Sequence, residues 1–379
     1  MGKLPFKWIV LYIMTLIYLV MMAATVRSSP VPSGSSYTLS TLVSELESPW
    51  SMAFLPDQSL LVTERSGQLR RISDGKVSEP VEGVPEVFFR GQGGLLDIKL
   101  HPDYEKNGWL YLSYAHGNRD ANALRLMRAK LQGLKLVEQQ VLFTVTPAKN
   151  TPVHYGGRIL FLPDQTLLLS TGDGYNFRES SQKKNSLIGK IVRLNDDGSI
   201  PEDNPFVGEK GTHSAIWSLG HRNPQGLFYD SRRKQVISHE HGPKGGDEIN
   251  IIEPGKNYGW PVITYGRDYT GATITPYKEY PGMEQPFVDW TPSIAPSSLV
   301  VYYGAMFPEL KGDLLATTLV SREVRRVRMD GNNVSGQESL ISTPEQRLRH
   351  IEVDRKGAIY LLTDQGDLLK VTKQQSPEK

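Results

Sequence analysis

Past residue 37 the chain is written in short apolar runs that proline, aspartate and glycine interrupt at close intervals. Met52-Ala-Phe-Leu-Pro-Asp57 leads into Ser59-Leu-Leu-Val-Thr63, and Leu100-His-Pro-Asp103 leads into Trp109-Leu-Tyr-Leu-Ser113. Ile159-Leu-Phe-Leu-Pro-Asp164 precedes Thr166-Leu-Leu-Leu-Ser170, and Leu227-Phe-Tyr-Asp230 precedes Gln235-Val-Ile-Ser238. Pro308 to Thr317 and Ile351 to Thr363 repeat the scheme. Each unit reads as strand, tight turn, strand. Six such hairpins recur about every 40 to 80 residues, the signature of a radially repeated sheet whose closure protects its edges. The pattern therefore predicts an all-β fold, a six-bladed β-propeller over residues 37–373. Helical periodicity is faint and confined to Ala121 to Leu131.

Composition supports one large unit. The 379 residues are 39% hydrophobic, with 35 glycines and 25 prolines to serve many turns. The 43 basic and 41 acidic residues are interspersed, so no basic stripe argues for nucleic acid. Zero cysteines removes disulfides and thiol catalysis from consideration. The N-terminus breaks the pattern. Lys3 and Lys7 precede an apolar run from Trp8 to Val26, followed by Arg27 and a Ser/Pro/Gly-rich stretch to Ser36. Residues 1–27 therefore read as a signal peptide or an uncleaved membrane anchor, with 28–36 as a linker. Either way the propeller lies outside the cytoplasm, in the periplasm.

Four glycine-rich polar segments fall at the expected blade ends: Gly91 to Asp97, His154 to Arg158, Gly220 to Gly226 and Glu240 to Glu248. No phosphate loop or zinc-type histidine pair is present, and the aspartates near 200 fail the EF-hand pattern. His154, before two glycines, has the chemistry of a general base near neutrality. A histidine hydrogen-bonded within its loop fits the same residues. In Gly220-His-Arg-Asn-Pro-Gln-Gly226, proline and the flanking glycines place Arg222 and Asn223 on a tight turn. A fork bonding loop carbonyls and a ligand clamp both suit them. Arg347 and Arg349 alternate on a strand and share a face, which suits a carboxylate-rich ligand or a solvated edge.

Taken in order, these segments resemble the glucose/sorbosone dehydrogenase family, propeller enzymes that use pyrroloquinoline quinone (PQQ), and within it the bacterial aldose sugar dehydrogenases. The likeness spans about residues 40 to 372 and includes Leu46 to Phe54, Gly189 to Leu194, Asp197 to Phe206, Gly242 to Asn250, Asn257-Tyr-Gly-Trp-Pro261 and Ile294 to Ser297. The resemblance implies PQQ and calcium as cofactors and an aldose as substrate, with an external electron acceptor. It implies His154 as catalytic base and Arg222 and Asn223 at the cofactor. Gln92 would lie at the quinone, and Arg347 and Arg349 at the PQQ carboxylates. The Gly242 and Pro243 carbonyls would meet calcium, and Trp290 the substrate.

Two positions depart from close relatives. Val320 stands where they carry a lysine, with Arg322 expected on the same strand face to take its place. Val153 replaces a polar neighbour of the base. A propeller of this family serving as a cofactor-free binding module, or as a calcium-dependent lactonase, are the competing readings.

Overall fold

The computed structural model describes residues 37–343 and 345–374; the export segment and linker expected at 1–36 lie outside them. Twenty-four strands, β1 to β24 in chain order, form six four-stranded antiparallel sheets. The molecule is a six-bladed β-propeller. Its innermost strands are β2 (Pro49–Phe54), β6 (Leu95–Leu100), β10 (Gly156–Phe161), β14 (Pro224–Asp230), β18 (Pro296–Val301) and β22 (Leu348–Val353). They pack side by side in a closed ring. The first described strand, β1 (Tyr37–Val43), pairs with β24 (Leu368–Lys373) as the outermost strand of the last blade, so the two ends of the chain fasten the ring.

The repeated sequence unit is the inner hairpin of each blade. Its turn chemistry is visible in the hydrogen bonds. Asp57 Oδ1 accepts from the Ser59 N–H at 3.0 Å, Asp164 Oδ1 from Thr166 at 3.0 Å, and Asp354 Oδ1 from Ala358 at 2.8 Å. Such aspartate caps satisfy backbone donors that the turn leaves unpaired. Six apolar clusters lie one in each gap between neighbouring blades.

The faint helical stretch is a strand, β8 (Asn122–Gln132). Leu124 and Leu126 face the cluster toward the third blade, whereas Met127 and Ala129 face the cluster toward the first. A bulge between Leu126 and Met127 changes the face in mid-strand. Apolar residues on both faces plus one bulge imitate helical spacing.

All six innermost strands carry a register irregularity at their first residues. A bulge turns side chains or carbonyls out of the regular ladder, and here it turns them toward the channel. The Arg158 guanidinium lies fully buried across that channel. Nη1 donates to Asp97 Oδ1 at 3.3 Å and to His350 Nδ1 at 3.0 Å. Nε donates to the Gln225 carbonyl and Nη2 to the Ser297 carbonyl, both at 2.7 Å. Its carbon sits 3.8 Å from the Trp50 ring centroid. One side chain thus touches all six blades. Removing one partner of a buried charge pair costs about 3–5 kcal/mol, because the other charge is left uncompensated. Arg158→Leu is expected to lose that much in urea unfolding. Unchanged stability would show that the ring does not depend on this contact.

Candidate active site

The loops that enter the innermost strands and the residues that follow the second strands meet at one mouth of the channel. Second strands β3 (Leu60–Glu64), β11 (Leu167–Thr171), β15 (Gln235–Glu240) and β23 (Ile359–Thr363) are followed at once by Arg65, by Gly172 and Asp173, by His241 and by Asp364. Entering loops bring Gln92, His154, Arg222, Asn223 and Arg347. Antiparallel pairing makes this convergence unavoidable, since a second strand ends where the first begins.

His154 is buried, and its backbone is left-handed, with φ +50°. A non-glycine residue there is strained and is held by its surroundings. Its N–H donates to Gln92 Oε1 at 2.8 Å, and its Nδ1 lies 2.6 Å from Asp173 Oδ1. An ionised carboxylate only accepts, so Nδ1 carries the proton and Nε2 is the basic nitrogen. Trp260 Nε1 donates to the other Asp173 oxygen at 2.8 Å, and the Tyr175 N–H donates to Oδ1 at 2.7 Å. Gly172 is obligatory, because a Cβ there would lie 2.2 Å from the His154 carbonyl oxygen.

Burial lowers the His154 pKa below its ordinary value; the Arg222 and Lys149 charges push the same way, while Asp173 opposes them. Burial raises Asp173, yet the His154 hydrogen bond and the His154 and Arg222 charges outweigh it and hold the carboxyl below its usual range. The pair at neutrality is a neutral imidazole on a carboxylate.

The Arg222 loop is shaped by Glu240. One carboxylate oxygen accepts the backbone N–H groups of Arg222 (2.5 Å) and Asn223 (3.3 Å), and the other meets His221 Nδ1 at 2.8 Å. Arg222 Nη1 reaches the carbonyls of His241 at 3.1 Å and Gly242 at 2.7 Å. Asn223 Oδ1 accepts from the Gly156 N–H at 3.1 Å. Both behave as the structural fork allowed by the sequence, and both also edge cavities.

Two cavities open at this mouth. The first, of about 310 Å³, is walled by Trp50, Leu96, Tyr155 and Leu319 and carries Gln92, Asn223 and Gln225. Arg347 and Arg349 converge in it on a single carboxylate, and Arg65 stands beside them with its guanidinium donating to the Gly91 and Gly93 carbonyls. Asp364 accepts from Arg347 Nε at 2.9 Å and from Arg349 Nε at 2.7 Å. Burial lowers the Arg65 pKa and the neighbouring Arg349 charge adds to this, while Asp364 opposes them. The second cavity, of about 280 Å³, is lined by Asp173, Tyr175, Arg222, Pro243, Trp260 and Tyr269, among others. His154 bonds to walls of both, through Gln92 and Asp173.

Two expected site residues lie elsewhere. Trp290 is buried in the apolar cluster between the fourth and fifth blades, and its indole N–H donates to Gln337 Oε1 at 2.7 Å. It sits on the outermost strand β17 (Val288–Trp290), remote from the channel ring. Arg322 does not line either cavity. Val320 to Arg322 form the exposed turn between β19 (Leu314–Thr318) and β20 (Glu323–Asp330), with Arg322 at φ +54°. Strand alternation therefore does not relate 320 to 322. The sequence reading missed Arg65, Asp173 and Trp260. The signal for the first two was their position, directly after a second strand in the repeat.

The family model for glucose/sorbosone dehydrogenases matches residues 46–370. The chain belongs to that family. It is similar to the aldose sugar dehydrogenase YliI of Escherichia coli K12, at 38% identity over 89% of this chain and 93% of the relative. A crystal structure of the soluble E. coli aldose sugar dehydrogenase in the apo-form superposes with a TM-score of 0.86 at 36% identity, covering 89% of this chain and all of that one. The PQQ-bound aldose sugar dehydrogenase of Streptomyces coelicolor gives 0.73 at 28% identity, over 91% and 100% of the chains. His154 offers the site's most direct titration test. Titration of histidine ring signals by nuclear magnetic resonance should place its midpoint below about 6.5, and Asp173→Asn should lower it further. A midpoint at or above 6.5 would show that Asp173 outweighs burial and would contradict the neutral-imidazole assignment.

Proposed function

We propose that the protein oxidises the C1 hydroxyl of cyclic aldoses to lactones with PQQ as cofactor. The observation that carries this reading is the trio of guanidiniums in one cavity, two of them sharing the Asp364 carboxylate, beside a histidine–aspartate pair. PQQ is planar and bears three carboxylates. A cavity with net positive charge, flat apolar walls and amide side chains fits it, and Arg65, Arg347 and Arg349 are the groups that would hold those carboxylates. When bound, the cofactor supplies an electrophilic quinone that takes the hydride from C1.

The chain's own residues do the rest. His154 Nε2 takes the proton from the C1 hydroxyl, and the electron pair left on that oxygen closes the lactone carbonyl as hydride departs. Asp173 stabilises the imidazolium and fixes its tautomer, and Trp260 keeps Asp173 in place. Arg222 lies at the edge of the second cavity, where its charge favours negative charge developing nearby. The aromatic walls at Tyr175, Trp260 and Tyr269 suit the apolar face of a pyranose. Trp290 has no part in this.

Calcium enters the proposal through the Gly242 and Pro243 carbonyls, which are hard neutral donors. Asp247 pins their loop by accepting the Gly242 N–H at 2.8 Å. Arg222 already occupies the Gly242 oxygen, and no cluster of three acidic or imidazole side chains that could hold a metal exists among the described residues. A calcium ion here would need Arg222 to yield and most ligands to come from cofactor and water, so no step is routed through it. The basic start and apolar run of the N-terminus support export to the periplasm and an external electron acceptor there.

The test is reconstitution with PQQ and calcium, followed by a sugar panel read by reduction of an artificial dye. Aldose-dependent dye reduction is expected, and His154→Gln should lower turnover by about 10² or more. The acid limb of kcat/KM should fall below about 6.5, because the working form is the neutral imidazole. No dye reduction with any aldose, or lactone hydrolysis without PQQ, would overturn the reading.

A further inference from the structure

Lys149 is a buried lysine beneath the segment that carries the base. Its Nζ donates to the Thr151 carbonyl at 2.5 Å, the Val153 carbonyl at 3.0 Å and Asn122 Oδ1 at 3.2 Å. It also lies 3.4 Å from the centroid of the Tyr155 ring, whose hydroxyl donates to the same Asn122 oxygen at 2.6 Å. Val153 and Tyr155 are the two neighbours of His154, so one ammonium grips the chain on both sides of the base. The main chains of Lys149 and Asn122 exchange two hydrogen bonds of 2.8 Å, which anchors the lysine itself to β8. On its other side Lys149 supports the turn that bears Asp173. Thr151 Oγ1 donates to the Gly174 carbonyl at 2.6 Å, and a Cβ at Gly174 would lie 2.7 Å from Lys149 Cδ.

We propose that Lys149 is a positioning residue for His154, holding the left-handed turn that aims the imidazole and the neighbouring turn that carries its aspartate. The proposal rests on His154 being the base of the reaction above. Three oxygens match the three N–H groups of an ammonium, whereas a neutral amine has two donors. Deprotonation therefore releases one of the three contacts. The charged or titratable groups that face Lys149 are Asp173, His154 and the Tyr155 phenol. Its other neighbours, Asn122, Thr151, Val153 and Gly174, are neutral. Burial lowers the Lys149 pKa to about 7, with Asp173 pulling the other way. The grip on the base loosens as pH rises through that value, which places an alkaline limb on turnover above the acid limb of His154.

The experiment compares wild type, Lys149→Met and Lys149→Arg as full chains. In the calcium- and PQQ-loaded proteins, Lys149→Met should lower kcat about 10-fold or more, since misplacement of a catalytic group by about 1 Å can cost 10²-fold. KM should stay within about twofold, and the alkaline limb should vanish. Lys149→Arg keeps its charge at all these pH values, so it too should lose the limb while recovering part of kcat. A loss of kcat with the limb intact, or no loss at all, would overturn the proposal. Histidine ring resonances in the PQQ-free protein give a readout independent of the reaction. Lys149→Met should raise the His154 midpoint and broaden its signals, and an unchanged His154 titration would overturn the proposal even if sugars are oxidised. Should Lys149→Met not fold, the wild-type limb decides. Ammonium ionisation is endothermic, so the limb must move to lower pH on warming, and a limb that is absent or does not move refutes the assignment.

Discussion

Everything at the mouth depends on one guanidinium held across the channel. Arg158 binds Asp97, Gln225, Ser297 and His350 and lies over Trp50, so that each of the other five blades contributes a contact. Burial lowers its pKa to about 10, which leaves it charged at neutrality. Desolvating such a charge is expensive unless its donors are matched, and here the acceptors come from four different sheets, with the Trp50 ring from a fifth. The cost fixes the blades relative to one another. A ring free to shear would lose contacts to a buried cation.

The bulges make that arrangement possible. Regular innermost strands would point their side chains into the gaps between blades, where the apolar clusters lie. An irregularity at the start of each strand frees Trp50, Leu96, Gln225 and Arg349 to face the channel instead. The same irregular ends lead directly into the loops of the site. Structural and chemical roles are therefore stacked along one axis, with Arg158 below and the arginine trio and His154 above. Glu240 and Asp173 repeat the principle on a smaller scale. Each is a buried carboxylate that accepts from backbone N–H and meets a histidine, two backbone groups at Glu240 and one at Asp173, and so converts loops into fixed geometry.

Much of this was legible in the sequence. The hairpin units set the blade number because an aspartate recurs at every inner turn, joined by proline in four of the six, a local signal that survives without any tertiary knowledge. Asn223, Arg347 and Arg349 stand out from their turn or alternating settings and Gln92 through the family resemblance, and all four line one cavity. Arg65 and Asp173 were not, because a single charged residue at a strand end looks like any solvated turn until the opposite blade is known. Trp290 failed for the converse reason. A tryptophan beside a functional loop is as easily core, and its partner Gln337 is distant in sequence. The pairing of Val320 with Arg322 assumed strand alternation where the chain turns.

The central claim is that the positive cavity is built for a polycarboxylate quinone. Calorimetric titration of PQQ into the calcium-loaded full chain tests it most directly. The account predicts saturable binding to one site, weakened roughly 10- to 150-fold by Arg349→Ala, the loss of one charge-assisted contact worth about 1.5 to 3 kcal/mol. Trp290→Phe should leave the affinity unchanged. Absence of saturable binding, or an affinity indifferent to Arg349 and sensitive to Trp290, would contradict it.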